Sequence, residues 1–438
     1  MRILVVHHGS LPDLGSPTTG GAIRAAQHVT ALRAAGHDVA TLCREQDGSG
    51  GFTGPANLRS LARRSRPDWV LCVAPEEAPA LLGVAPLVVD LYAPRLLEAA
   101  FEGQQEDEAK RVLLAVHAAD DVLFSNPRQR HFWLGVLGLA GWDLRGAAGH
   151  VVPLGTVPVA RVRKPKRPRV ILGGQPWPWQ DASEVLKRAV AHLGGRADVV
   201  TYGLPAMEGV ESHGLVSRAE WLSAVAGSTV ALDRYAPHIE RELALSFRQL
   251  DYLSAGIPVI TDPWAPIADD VRRHAAGWVD EPLEAALDAA LHEDRGAGAR
   301  ALCDTFSSAD VSARLVELRP TRRVREWSVV SWSRRASAAM LGAEADRVRR
   351  EAAEAEVFAK REEVAALVGQ LRALTAAMEQ LSAAQADIAG FRRETVQVLG
   401  TRLAGQTEEA EALRQQLAQL RAERDRLGGV LRRLSGPR

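Results

Sequence analysis

The feature that most limits the folds open to this chain is a repeated alternation of short Val-, Ile- and Leu-rich runs with helical stretches. Arg2 to His7 is the first run. Helical apolar spacing follows over Gly20 to Ala35 and stops at Gly36, and His37-Asp-Val-Ala-Thr-Leu begins a second strand. Trp69 to Val73, Pro86 to Leu91, Asp121 to Phe124 and His150 to Pro153 continue the series, with helical segments such as Leu97 to Ala119 between them. Buried strands joined by helices predict a parallel sheet covered on both faces. Arg161 to Arg169, RVRKPKRPR, is basic and Pro-rich, has little to bury, and reads as a linker. Beyond it the pattern restarts at Val170 to Leu172, Asp198 to Tyr202, Thr229 to Leu232 and Pro258 to Thr261, with helices at Asp181 to Leu193 and Arg218 to Ala226.

A chain of 438 residues has room for several cores. The expected class is α/β: two Rossmann-like domains over 1–160 and 161–318, a connector over 319–336 that carries Trp327 and Trp332, and a long α-helical coiled coil over 337–435. In that last region Pro is absent until the final residues, and Ala, Glu, Gln, Leu and Arg dominate. Leu367, Leu371, Leu374, Met378, Leu381, Gln385 and Ile388 form one three-four seam. Leu413, Leu417, Leu420, Arg424, Leu427, Leu431 and Leu434 form another, with Gly390, Gly400 and Gly405 between the two. Such heptads predict self-association or capture of a partner protein; one amphipathic helix folded back on the globular part is the alternative.

Lys plus Arg and Asp plus Glu are both 54, so the formal charge is zero and nothing in the composition points to nucleic acid. The three cysteines, Cys43, Cys72 and Cys303, lie far apart in apolar contexts and read as reduced core residues. No run reaches the length of a membrane span, and the first residues are too short for a secretory core. The expected address is the cytosol, with peripheral contact to the inner face of the cell membrane.

Several residues sit where strand ends meet helix starts, the usual place for a ligand in an α/β sheet. Gly20 and Gly21 precede the first helix, with Arg24 in its first turn, and let a ligand approach the backbone closely. Asp90 and Tyr92 follow a buried strand, and a partly buried Asp90 carboxylate is a candidate base for an acceptor hydroxyl; a cap or structural hydrogen bond is the alternative. Ser246 and Phe247, with Leu245, are placed to start a helix whose N–H groups face an anion, and Arg248 adds a cation there. Trp177 or Trp179 is a stacking platform for a sugar or base, and Tyr202 closes a strand that flanks the same edge. There is no Asp-x-Asp pair at a strand end and no His or Cys cluster with metal spacing, so no metal and no cofactor are expected.

The run Asp251-Tyr-Leu-Ser-Ala-Gly-Ile-Pro resembles a segment of GT-B glycosyltransferases, broadly the family-4-like group, in which an acidic residue precedes a small-Gly-x-Pro turn beside the nucleotide-sugar. The resemblance implies a two-lobed enzyme that moves sugar from a nucleotide-diphospho-sugar to a glycan or lipid-linked acceptor in cell-surface polysaccharide assembly. It places Gly20 and Gly21 in the glycine-rich loop of the cleft, and Ser125 and Arg128, in a Phe124-Ser-Asn-Pro-Arg-Gln-Arg-His-Phe-Trp segment, toward the acceptor. His150-Val-Val-Pro-Leu-Gly155 resembles the family's strand before the linker. Glu242 and Asp251 stand near the family's paired glutamates at a spacing one residue longer, which implies sugar contact for Glu242 and ribose contact for Asp251. Two departures stand out. Asp90 occupies a place where relatives carry a histidine motif, and the loop holding Gly174 has Gln175 and Gln180 where the family has Arg and Lys. A non-catalytic scaffold built on a degenerate transferase fold is therefore the alternative to an enzyme.

Overall fold

The computed structural model describes residues 1–9, 11–12, 17–44, 51–146, 148–160, 165–174, 177–325, 328, 330–331, 375–376, 378–380, 382, 385, 387–395, 397 and 407–434. Much of the predicted linker and coil, with Gln175, Trp327 and Trp332, lies outside them. The chain divides into two compact units, Met1–Gly342 and Ala343–Arg438.

The first unit holds two all-parallel sheets. One has β1 (Arg2–His7), β2 (Asp38–Cys43), β3 (Trp69–Cys72), β4 (Leu87–Asp90), β5 (Asp121–Phe124) and β6 (His150–Val151) in the order β2-β1-β3-β4-β5-β6. The other has β7 (Arg169–Gly173), β8 (Asp198–Tyr202), β9 (Glu211–His213), β10 (Val230–Asp233), β11 (Val259–Thr261) and β12 (Gly277–Trp278) in the order β12-β11-β10-β7-β8-β9. Strands β3, β4, β10 and β11 are buried along their whole length, as expected of a sheet with helices on both faces. The strand order reverses between β1 and β3 in one lobe and between β7 and β10 in the other, and ligands of open α/β sheets bind at such switch points.

One expected helix is broken. Leu97 to Ala119 is interrupted after Phe101, where Gly103 takes a φ of +67°, so Arg95–Phe101 and Gln105–Ala118 are separate helices. Ser246 caps the Phe247–Ser254 helix through a capping box with Gln249, at the helix start expected from the sequence, and Ile239–Leu243 is a separate short helix before it.

The chain crosses between the lobes twice. Thr156 N–H donates to the Phe306 carbonyl at 2.8 Å and Ser308 N–H to the Thr156 carbonyl at 3.0 Å. Leu315 and Leu318 then join Ile3, Val5, Val29 and Leu32 in the core of the first lobe, so the tail of the segment expected to belong to the second domain packs on the first. The connector continues that return. Arg325 pairs with Asp120 at 2.7 Å, and it and Arg323 donate to the His117, Ala118 and Ala119 carbonyls that end the Gln105–Ala118 helix. In the second unit a helix runs over Thr407–Leu434.

Candidate functional site

A cavity of about 540 Å³ lies between the lobes at the carboxyl ends of both sheets. Gly20, Gly21, Tyr92, Gly174, Trp177, Tyr202, Ser246, Phe247, Arg248 and Asp251 all line it, so most of the residues singled out in the sequence meet in one place.

Its floor on the second lobe is built around Asp233, at the end of β10 and fully buried. That one carboxylate accepts from Arg241 Nη2 at 2.8 Å, Arg248 Nε at 3.2 Å and Gln249 Nε2 at 2.6 Å. Both guanidiniums also sit over the Tyr235 ring, at 4.4 and 5.0 Å from its centroid. Arg248 Nη1 bonds Gln180 at 3.1 Å, while Arg248 Nη2 and Arg241 Nε are buried without a hydrogen-bond partner among the described residues. Burial pushes the Arg248 guanidinium down, but Tyr235 and Asp233 outweigh it and hold the group above its usual range. Two guanidiniums against one ion-paired carboxylate leave this floor with spare positive charge and spare donors, which suits an anion.

Gly174 opens the way to Arg248. Its φ is +141°, and a Cβ there would lie 2.0 Å from Arg248 Nη1. The helix start contributes less backbone than its sequence suggested, since Ser246 N–H goes to Gln249 Oε1 and Arg248 N–H to Ser246 Oγ.

The flank beyond Gly174 is aromatic. Tyr202 stacks on His213 at 4.7 Å and meets Trp221 edge-on at 5.7 Å. Asp251 is held by a two-pronged Arg218 pair at 2.5 Å and by Trp221 Nε1 at 2.7 Å, so a ribose diol here has to share that carboxylate. Trp177, 37% exposed, stacks on buried Trp179 at 5.1 Å. Trp179 in turn packs on Phe101 of the other lobe, whose ring also meets His238 at 4.6 Å.

Five expected site residues sit elsewhere. Asp90 is fully buried, bonded to Arg24 Nε at 2.7 Å and His28 Nε2 at 2.6 Å, and does not line the cavity. Burial alone would raise its carboxyl, but Arg24 and His28 hold it down at about 2, an environment that makes a structural anion and a poor base. Arg24 is likewise structural, its remaining donors taken by Gln27, Val152 and Pro153. Ser125 is buried with its hydroxyl on the Tyr92 carbonyl. Glu242 is exposed and lines a separate shallow groove together with Arg128, whose guanidinium donates to the Glu242 and Trp264 carbonyls.

The carboxylates that do reach the cavity include two not singled out in the sequence. Glu240 is 4% exposed, and Glu98 stands on the Arg95–Phe101 helix of the first lobe. Burial, the dominant cause, raises both to about 7; Glu240 adds to the effect on Glu98, while Arg241 and Arg248 pull Glu240 partly back. No group of three or more His, Cys, Asp or Glu side chains fit to hold a metal occurs among the described residues.

No protein-family model and no curated protein matches the chain. Solved structures do. A sucrose-phosphate synthase from Thermosynechococcus elongatus superposes with a TM-score of 0.57 at 12% identity over 72% of this chain and 97% of that one. HepE of Anabaena, solved in complex with UDP-glucose, gives 0.52 at 13% over 72% and 98%. WaaG, a glycosyltransferase involved in lipopolysaccharide biosynthesis, gives 0.52 at 14% over 72% and 100%. The shared property is the fold: two facing Rossmann-like lobes in the GT-B layout.

Proposed function

We propose that the chain is a glycosyltransferase that takes sugar from a nucleotide-diphospho-sugar, binding the donor on the second lobe and the acceptor on the first. The observation that carries this reading is the pair of buried arginines at the cavity floor, with Arg248 Nη2 and Arg241 Nε unpartnered and the Arg248 side chain against Gly174. A diphosphate supplies the acceptor oxygens this floor lacks, and the same donors meet the charge that develops on the leaving group. They do the work expected of the family's Arg and Lys, so the glutamines at 175 and 180 do not by themselves favour the scaffold reading.

Tyr202 and Trp221 flank the base, Asp251 shares the ribose hydroxyls with Arg218, and Trp177 offers its face to the donor sugar. Glu240, rather than Glu242, is the carboxylate near that sugar. Gly20, Gly21 and Tyr92 border the acceptor side. With arginines carrying the diphosphate charge, the reaction is read as metal-independent. Cell-surface glycan assembly at the cytoplasmic membrane face is the proposed setting, in keeping with the role of WaaG. The C-terminal heptads are read as a self-associating coil.

A thermal-shift screen of nucleoside diphosphates against the full chain tests this. A ligand at about 100 times its Kd stabilises the native state by about 2.7 kcal/mol, so UDP or a related diphosphate is expected to raise the melting temperature clearly. Arg248→Ala should abolish most of the shift, and Arg248→Lys should keep part of it. If no diphosphate raises the melting temperature, or if Arg248→Ala shifts as the parent does, the reading fails.

A further inference from the structure

Four carboxylates line the cavity: Glu76, Glu98, Glu240 and Asp251. Glu76 is engaged by His8 Nδ1 at 3.3 Å and Arg95 Nη1 at 3.0 Å, and Asp251 by Arg218 and Trp221. The other two are not spoken for. The Glu98 side chain makes no hydrogen bond or ion pair among the described residues, and Glu240 Oε2 is buried without a hydrogen-bond partner, with the Trp179 side chain beside Glu240. They come from opposite lobes, on the Arg95–Phe101 and Ile239–Leu243 helices, which touch each other across the cleft. Glu240 shares its end of the cavity with Arg241 and Arg248, and Glu98 stands on the side of Gly21 and Tyr92.

From this placement, and resting on the donor reading above, we infer that Glu98 is the catalytic base for the acceptor hydroxyl and that Glu240 is the positioning carboxyl facing it. In the step, the acceptor O–H bond breaks and its proton passes to a Glu98 oxygen. The freed oxygen pair forms the bond to the anomeric carbon, and the bond from that carbon to the phosphate oxygen breaks with its electron pair leaving on the diphosphate. Arg241 and Arg248 meet that charge. A base poised near neutrality suits this transfer, because it is deprotonated at working pH yet still basic enough to accept.

The groups around Glu98 are consistent with such tuning. Glu240 faces it from the Ile239–Leu243 helix, Glu108 from the Gln105–Ala118 helix, and Arg95 and Glu102 from its own segment, with Tyr92 just before and His238 against Phe101. Arg95 is the only cation among them expected to be charged throughout, and it is already committed to Glu76 and Glu108.

UDP and UDP-glucose are the probes, with water standing in for the acceptor and UDP release by the full chain as the rate. The parent is expected to release UDP faster as pH rises through about 7, since Glu98 must lose its proton first. Glu98→Gln should lower the rate by about 100-fold or more and erase that limb. Its UDP thermal shift should match the parent, because Glu98 is not part of the diphosphate floor. Glu240→Gln should move the limb to lower pH by removing a like charge, a change that a purely structural role would not give. A Glu98→Gln rate within about three-fold of the parent overturns the assignment, as does a limb that survives the change. So does a parent that binds UDP but releases none from UDP-glucose. Absence of any UDP shift in the parent would instead fault the donor reading.

Discussion

Asp90 and Arg248 are both buried ions at strand or helix ends near one cleft, and they differ in whether they line the cavity. Asp90 Oδ2 is bonded by Arg24 and His28 away from the cavity, with Oδ1 unpartnered among the described residues, whereas Arg248 lines the cavity and keeps Nη2 unbonded. Breaking a buried pair leaves its partner charge uncompensated, so Asp90→Asn is expected to cost about 3–5 kcal/mol in urea unfolding while the folded fraction keeps its UDP shift. Lost donor binding with unchanged stability would mean that Asp90 serves the site after all. Gly174→Ala should do the reverse. Its Cβ would meet Arg248 Nη1 at 2.0 Å on a backbone of φ +141°, so the UDP shift should fall more steeply than the melting temperature of the free protein. Arg248 was legible in the sequence because a residue at a helix start beside a strand end has few places to go. Glu240 was not legible. It and Glu242 are two positions apart, about 200° around a helix, so only one can face the cleft, and which one depends on how the short Ile239–Leu243 helix is set before the Ser246 cap.

At the scale of elements, apolar runs located the strands well: Arg2–His7, Asp121–Phe124 and Asp198–Tyr202 have the bounds expected from sequence. β9 and β12 escaped notice because ESH carries no apolar residue and Gly-Trp is two residues long, so neither has a periodicity to detect. Edge strands of this kind are defined by the neighbour they pair with. The connector is a similar case. Arg323 and Arg325 reach back about two hundred residues to the carboxyl end of the Gln105–Ala118 helix, where cations complement the dipole and occupy carbonyls that the helix cannot. Replacing both by Ala is expected to lower stability by about 1–3 kcal/mol in chemical denaturation, given the several bonds to backbone carbonyls that are lost. These bonds cluster at the start of β5, the edge of the sheet opposite the cavity, so the UDP shift should persist. A shift lost together with the strap would tie the connector to donor binding.

For the molecule as a whole, the two units present different problems of burial. Met1–Gly342 covers its apolar faces internally, with four clusters of buried side chains in its two lobes. The Thr407–Leu434 helix does not: Leu417, Leu420 and Leu427 are 53%, 61% and 61% exposed. They fall on the heptad seam with Arg424 between them, and a helix of 28 residues, about 42 Å long, draws most of its stability from packing such an apolar face against a partner. A second copy would cover the seam. It would also set Arg424 beside Glu423 of its mate in a parallel pair, since a seam residue of one strand meets the preceding flanking position of the other. Leu420→Glu should therefore yield monomers at micromolar concentration in sedimentation velocity, where the parent sediments as an oligomer. Arg424→Leu should hold the oligomer to lower concentration, because a polar residue on the seam costs stability in exchange for register. Identical sedimentation of the parent and Leu420→Glu would show that the seam is not closed by self-association. Because the proposed donor site is lined by residues of the two lobes, the UDP shift per chain should be the same in both variants.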